Sequence, residues 1–225
     1  SKTPAVYDKF GRLKEYNETK RELDKTDITK LNVKALTHRL NISYDDSTGQ
    51  MLSYHEVVTK DGQAAVTTDR INITYTTLGF IDTYKDTITL TAAPDLITTI
   101  DFDAISYDSF GRMSGYAEIK TEQDNNDEAI YKVVTVTTRL NIVYDNTTGQ
   151  MLSYREEITD IWDQTNTRVW QGGEYDAYGN LTHYVETLTD PAGGQVLHDW
   201  SGALYDQYNR IVNYTESWFH IIDGD

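Results

Sequence analysis

The chain has 225 residues, with 36 Asp and Glu against 20 Lys and Arg, for a net charge of −16. Acidity spread along the whole length argues against nucleic acid, whose binding rests on basic contacts to phosphate, and no apolar run is long enough for a membrane helix. With no cysteine there is no disulfide or thiolate metal site, and 31 Thr and 17 Tyr favour strands.

One phrase returns seven times: Tyr-Asp, a tight turn ending in Gly, an apolar residue, then Tyr-x-acid. The first repeat carries Tyr7, Asp8, Gly11, Tyr16 and Glu18. YDKFGRL at 7–13 reads as a hairpin: Asp8 opens a type I turn, Gly11 supplies the positive φ of the bulge, and Tyr7 faces Leu13. The second repeat (Tyr44, Asp45, Gly49, Tyr54, Glu56) has a turn one residue longer. The third (Tyr75, Gly79, Tyr84, Asp86) replaces the turn Asp with Thr76 and is the weakest. The fourth (Tyr107, Asp108, Gly111, Tyr116, Glu118) copies the first, and the fifth (Tyr144, Asp145, Gly149, Tyr154, Glu156) copies the second. The sixth has Tyr175, Asp176, Gly179, Tyr184 and Glu186. The seventh (Tyr205, Asp206, Asn209, Tyr214, Glu216) uses Asn209 in place of Gly, the next-best residue for that backbone.

Tyr7, Tyr44 and Tyr75 recur 100 residues later as Tyr107, Tyr144 and Tyr175, so a block of three repeats has been duplicated. Residues 37–54 and 137–154 agree at 14 of 18 positions. At the opposite edge the chain is expected to turn at DKTD (24–27), KDG (60–62), TAAPD (91–95), QDNND (123–127), DQTN (163–166) and DPAGG (190–194). Fixed-period self-similarity predicts stacked units that bury surface against their neighbours. The expectation is an all-β chain, residues 1–225 forming one continuous array of seven hairpins, about 14 strands and no significant helix. Open twisted sheets rarely exceed about 10 strands, so a coiled meander, spiral or solenoid-like sheet is expected.

Strict alternation places the leading Tyr, its apolar partner and the residue two before it (Ala5, Ile42, Ile73, Ile105, Ile142, Gly173 or Ala203) on one face. The second Tyr and its acid are then expected on the other face.

The YDxxGRL phrase, carried by Tyr7-Asp8-Gly11-Arg12-Leu13 and Tyr107-Asp108-Gly111-Arg112-Met113, resembles the YD repeat of the rearrangement-hotspot and teneurin-type proteins. Weaker copies stand at Tyr175-Asp176-Gly179-Asn180-Leu181 and Tyr205-Asp206-Asn209-Arg210-Ile211. The resemblance implies a spiralling β-sheet of tandem hairpins. The family's period is shorter, and its enclosed toxin and plug have no counterpart here, so encapsulation is not implied.

Seven equivalent acids argue against an enzyme, which needs two carboxylates in different environments at one cleft. No cofactor is expected. Calcium is conceivable at the acidic turns, although no EF-hand loop is present. Trp162, Trp170, Trp200 and Trp218 all lie beyond residue 160 and could form an aromatic platform for sugar rings or pack the last repeats. His38, His55, His183, His198 and His220 show no metal spacing. Six Asn-x-Ser/Thr matches (Asn17, Asn41, Asn72, Asn146, Asn180, Asn213) arise readily in a Thr-rich chain. The expected function is a non-catalytic repeat segment of a large secreted or cell-surface microbial protein: a stalk, fibre or adhesin scaffold. Its partners would be neighbouring repeats or domains, other copies through sheet edges, or glycans, with neither nucleic acid nor membrane insertion. A carbohydrate- or cation-binding module is the second reading, and a polysaccharide-active enzyme the third.

Overall fold

The computed structural model describes residues 5–23, 32–129 and 131–221. Among them there are strands, turns and no helix. The strands are β1 (Val6–Tyr7), β2 (Leu13–Leu23), β3 (Asn32–Tyr44), β4 (Met51–Lys60), β5 (Val66–Ile71), β6 (Thr83–Leu90) and β7 (Ala93–Tyr107). They continue as β8 (Met113–Asp124), β9 (Lys132–Tyr144), β10 (Met151–Thr159), β11 (Thr165–Tyr175), β12 (Leu181–Thr189), β13 (Gln195–Tyr205) and β14 (Ile211–Ile221). Their order in a single 14-stranded sheet is the order of the sequence, a hairpin meander with β1 and β14 at its ends. The chain forms two compact bodies: Ser1–Asp103 with Ile119–Val133, and Ala104–Glu118 with Val134–Asp225.

The turn chemistry follows the repeated phrase. Asp8 Oδ1 accepts the N–H groups of Phe10 and Arg12, while Arg12 Nε donates to Asp8 Oδ2 at 2.6 Å. The same set recurs at Asp108 and Asp206, and at Asp176 the Asn180 amide Nδ2 donates in place of the guanidinium. The glycines sit where predicted, with Gly11 at φ 79° and Gly111 at φ 78°, and Asn209 takes the same region at φ 59°. Arg12 reaches on to the next hairpin, donating to the Asp45 carbonyl at 3.0 Å, and Arg112 repeats this at Asp145. In the third repeat the Thr76 hydroxyl accepts the Phe80 N–H at 3.2 Å in place of the Asp carboxylate, and Tyr75 and Ile81 are joined by an isolated bridge. At the opposite edge the DPAGG and KDG turns form as expected. The DQTN turn forms earlier: Asp160 accepts from the N–H groups of Trp162 and Gln164, and Asp163 takes the positive φ. The turn starts at Asp160 because its carboxylate, rather than a residue of 163–166, caps the backbone N–H groups. DKTD (24–27) lies outside the described residues.

The two-face reading requires correction. Ile142, Tyr154 and Trp170 form one buried cluster, and Tyr144, Met151, Leu181, Tyr116 and Tyr184 pack against it. Leading tyrosine, apolar partner and second tyrosine therefore share a face. The cause is a pair of offset β-bulges. Between Arg155↔Leu140 and Ser153↔Val143, β9 advances three residues while β10 advances two; between Ser153↔Val143 and Met151↔Tyr144, β10 advances two while β9 advances one. Each extra residue flips the alternation on its own strand. The register is then restored. The first bulge is built on a residue in the left-handed region three positions before the leading Tyr: Asn41, Asn72, Asn141, Gly172 or Gly202. Ala104 in the fourth repeat is not among the positive-φ residues, and its neighbour Ile105 is 51% exposed rather than in the expected apolar stripe. Ala5 is also exposed. Among the described residues no large side chain is fully buried.

Candidate functional site

Within each body, second tyrosines on neighbouring hairpins have a flat group between them. In the first body the Arg39 guanidinium lies 5.7 Å from the Tyr16 ring centre and 4.2 Å from that of Tyr54. Arg70 lies 5.6 Å from Tyr54 and 3.6 Å from Tyr84, and Phe102 stacks on Tyr84 at 4.6 Å. In the second body Arg139 lies between Tyr116 and Tyr154, at 5.6 and 4.3 Å. Trp170 is 5.6 Å from both Tyr154 and Tyr184, and Trp200 is 5.4 Å from Tyr184 and 5.8 Å from Tyr214. Each flat residue sits five positions before a leading Tyr. Guanidinium over a ring and offset ring pairs are both favourable, so the slot takes either chemistry.

The acid two positions after the second Tyr is held by the same arginines. Glu56 accepts from Arg39 Nε at 2.8 Å, and Asp86 takes both arms of Arg70 at 2.7 Å. Glu156 accepts from Arg139 Nε at 2.9 Å, with Arg168 Nη1 at 3.7 Å. Where Trp170 fills the flat slot no arginine is there to meet the acid. Arg168, two residues earlier, pairs with Glu186 instead. Asp86, Glu156 and Glu186 are buried. Burial disfavours the Arg70 charge, but its contact with Asp86 outweighs this and its pKa is raised. Burial likewise raises the Tyr54, Tyr116 and Tyr184 hydroxyls.

Of the remaining acids, Glu18 is exposed and Glu118 half-buried, and Glu216 Oε1 lies 3.9 Å from His198 Nε2. His198 is buried, stacks on Trp218 at 3.9 Å and has its Nδ1 3.6 Å from Glu186.

Leading tyrosines tie one hairpin to the one before. The hydroxyls of Tyr44, Tyr75, Tyr144, Tyr175 and Tyr205 donate to the carbonyls of Leu13, Met51, Met113, Met151 and Leu181 at 2.6–2.8 Å. The turn carboxylates are acidified. Asp45 is lowered to about 2 by the Ser47 hydroxyl and by the Thr48 N–H and hydroxyl. Asp176 and Asp206 are lowered chiefly by Asn180 and Arg210.

The tryptophans do not form one platform. Trp170 and Trp200 are buried in the ladder, and Trp162 lies exposed on the 160–164 turn. Trp218, half-exposed, lines a hollow of about 800 Å³ in the second body with Ile158, Arg168, Leu188, Val196 and His220. Among the described residues no group of three or more His, Asp or Glu is placed to hold a metal ion.

The sequence reading missed Arg39, Arg70, Phe102 and Arg139 as ladder members, and Asn41, Asn72 and Asn141 as bulge residues. The signal was present: a flat residue at −5 and Asn or Gly at −3 relative to Tyr44, Tyr75, Tyr144, Tyr175 and Tyr205. No protein-family model and no curated protein matches the sequence.

Proposed function

We propose that the chain is a non-catalytic structural repeat segment of a large secreted or cell-surface microbial protein, serving as a stalk, fibre or adhesin scaffold. The observation that carries this reading is the recurrence of one interlock, a flat side chain between two tyrosines and a tyrosine hydroxyl on the preceding hairpin's carbonyl. Glu56, Asp86 and Glu156 each pair with an arginine at equivalent register on the preceding strand. Carboxylates committed in this way serve the sheet, whereas a hydrolase needs two in contrasting surroundings. The YD-type phrase supports the same reading. An antibody raised against the chain should label intact cells that make the parent protein. Labelling only after lysis would contradict a surface location.

A carbohydrate-binding role is the second reading, favoured by the hollow beside Trp218. A glycan array should then give signals that Trp218→Ala abolishes. A blank array removes this reading and leaves the first untouched.

A further inference from the structure

Repeats cover one another in a fixed manner, and β14 is covered on one side only among the described residues. At five junctions the next strand makes the same two contacts. Its flat residue lies against the preceding second tyrosine: Arg39 on Tyr16, Arg70 on Tyr54, Arg139 on Tyr116, Trp170 on Tyr154 and Trp200 on Tyr184. Five residues on, its tyrosine hydroxyl reaches the carbonyl three residues before that ring.

On β14 the corresponding groups are the Tyr214 ring and the Ile211 carbonyl. Tyr214 has Trp200 against it and is still 48% exposed, where its counterpart Tyr154, with flat neighbours on both sides, is 9% exposed. Ile211, Val212, Trp218 and Phe219 are exposed along the same strand. An open, apolar edge strand is a template for another strand.

We propose that the β14 edge docks one further strand of this repeat type, supplied by another repeat unit, with Arg, Trp or Phe on Tyr214 and a tyrosine hydroxyl on the Ile211 carbonyl. The inference rests on the structural reading above and adds a site and a partner pattern to it: a flat residue, four residues, then Tyr. Recognition is β-augmentation, with main-chain bonds giving affinity and the two side chains fixing register.

The test is a peptide of residues 165–175, which carries Trp170 and Tyr175 at the required spacing, titrated into the intact chain. Amide exchange is read along β14. The outward N–H groups of β14 should gain saturable protection. Trp170→Ala or Tyr175→Phe in the peptide should each weaken binding about fivefold, as loss of a ring contact or one hydrogen bond implies. The substitutions are in the peptide, so the protein's own folding is not at issue. No protection at roughly millimolar peptide, or equal binding by the doubly substituted peptide, overturns the proposal. So does protection that grows with protein concentration alone, which makes a second copy the occupant. A peptide that fails to bind a chain whose repeats are still interchangeable sinks this docking site and not the structural reading.

Discussion

Gly173 stands where Ile42, Ile73 and Ile142 stand in other repeats, and its neighbour in the flat slot is Trp170 rather than an arginine. A Cβ on Gly173 would come within 2.5 Å of the Trp170 ring and 2.8 Å of the Met151 carbonyl. Arg goes with Ile, and Trp goes with Gly or Ala: one volume is filled in two ways. Gly173→Ile should therefore destabilise by about 1–3 kcal/mol through overpacking. Adding Trp170→Arg should recover much of the loss, because it rebuilds the 139–142 arrangement. Urea denaturation of the single and double variants reads this coupling; strictly additive losses would contradict it. Gly111, at φ 78° with open space around its Cα, isolates backbone strain. Gly111→Val should cost about 1–3 kcal/mol in the same assay.

Asp45 gives a dependence on pH. Its folded pKa is depressed to about 2 by turn hydrogen bonds. The stabilisation is therefore full above the unfolded value, about pH 4, and is lost as pH falls through the folded one. The stability difference between the native chain and Asp45→Asn should be constant at neutral pH and close between roughly pH 4 and pH 2. A gap that persists below pH 2 would contradict the assignment.

At the scale of the element, the hairpin turns were legible because Asp8, Gly11 and their copies act through local backbone chemistry that does not depend on tertiary context. The number and order of strands followed from the same punctuation. The faces were not legible from strict alternation, because a single positive-φ residue such as Asn141 reverses every side chain beyond it. Asn41 and Asn72 were read as incidental Asn-x-Ser/Thr matches, although their regular place three residues before Tyr44 and Tyr75 marked the bulge. Arg39, Arg70 and Arg139 were missed because their meaning lies across strands. Only the register brings them between two tyrosines and onto an acid.

The buried acids carry a prediction at this level. Glu156 holds Arg139 and lies near Arg168 while itself only 4% exposed. Glu156→Gln leaves those guanidinium groups short of a counter-charge, with an expected loss of about 3 kcal/mol, the low end for breaking a buried pair. Exposed Glu18→Gln should lie within about 0.5 kcal/mol of the native chain. Thermal melts of both decide it. Equal, small effects would mean that the ladder's ion pairs contribute nothing.

The chain joins neighbouring hairpins within each of its two bodies by one interlock. Its charge of −16 is spread along the chain, which favours solubility and leaves the contacts between repeats to decide stability. Stability in such an array approximates a sum of repeat terms and neighbour terms. The 100-residue duplication permits the most direct measurement: excise residues 45–144 and join Tyr44 to Asp145, which preserves the phase of every ladder position. The shortened chain should fold to a β-sheet with a cooperative urea transition, and its m-value should fall in proportion to the surface removed. A chain that loses cooperative unfolding or β-sheet circular dichroism after this in-phase excision would contradict the interchangeability of the repeats.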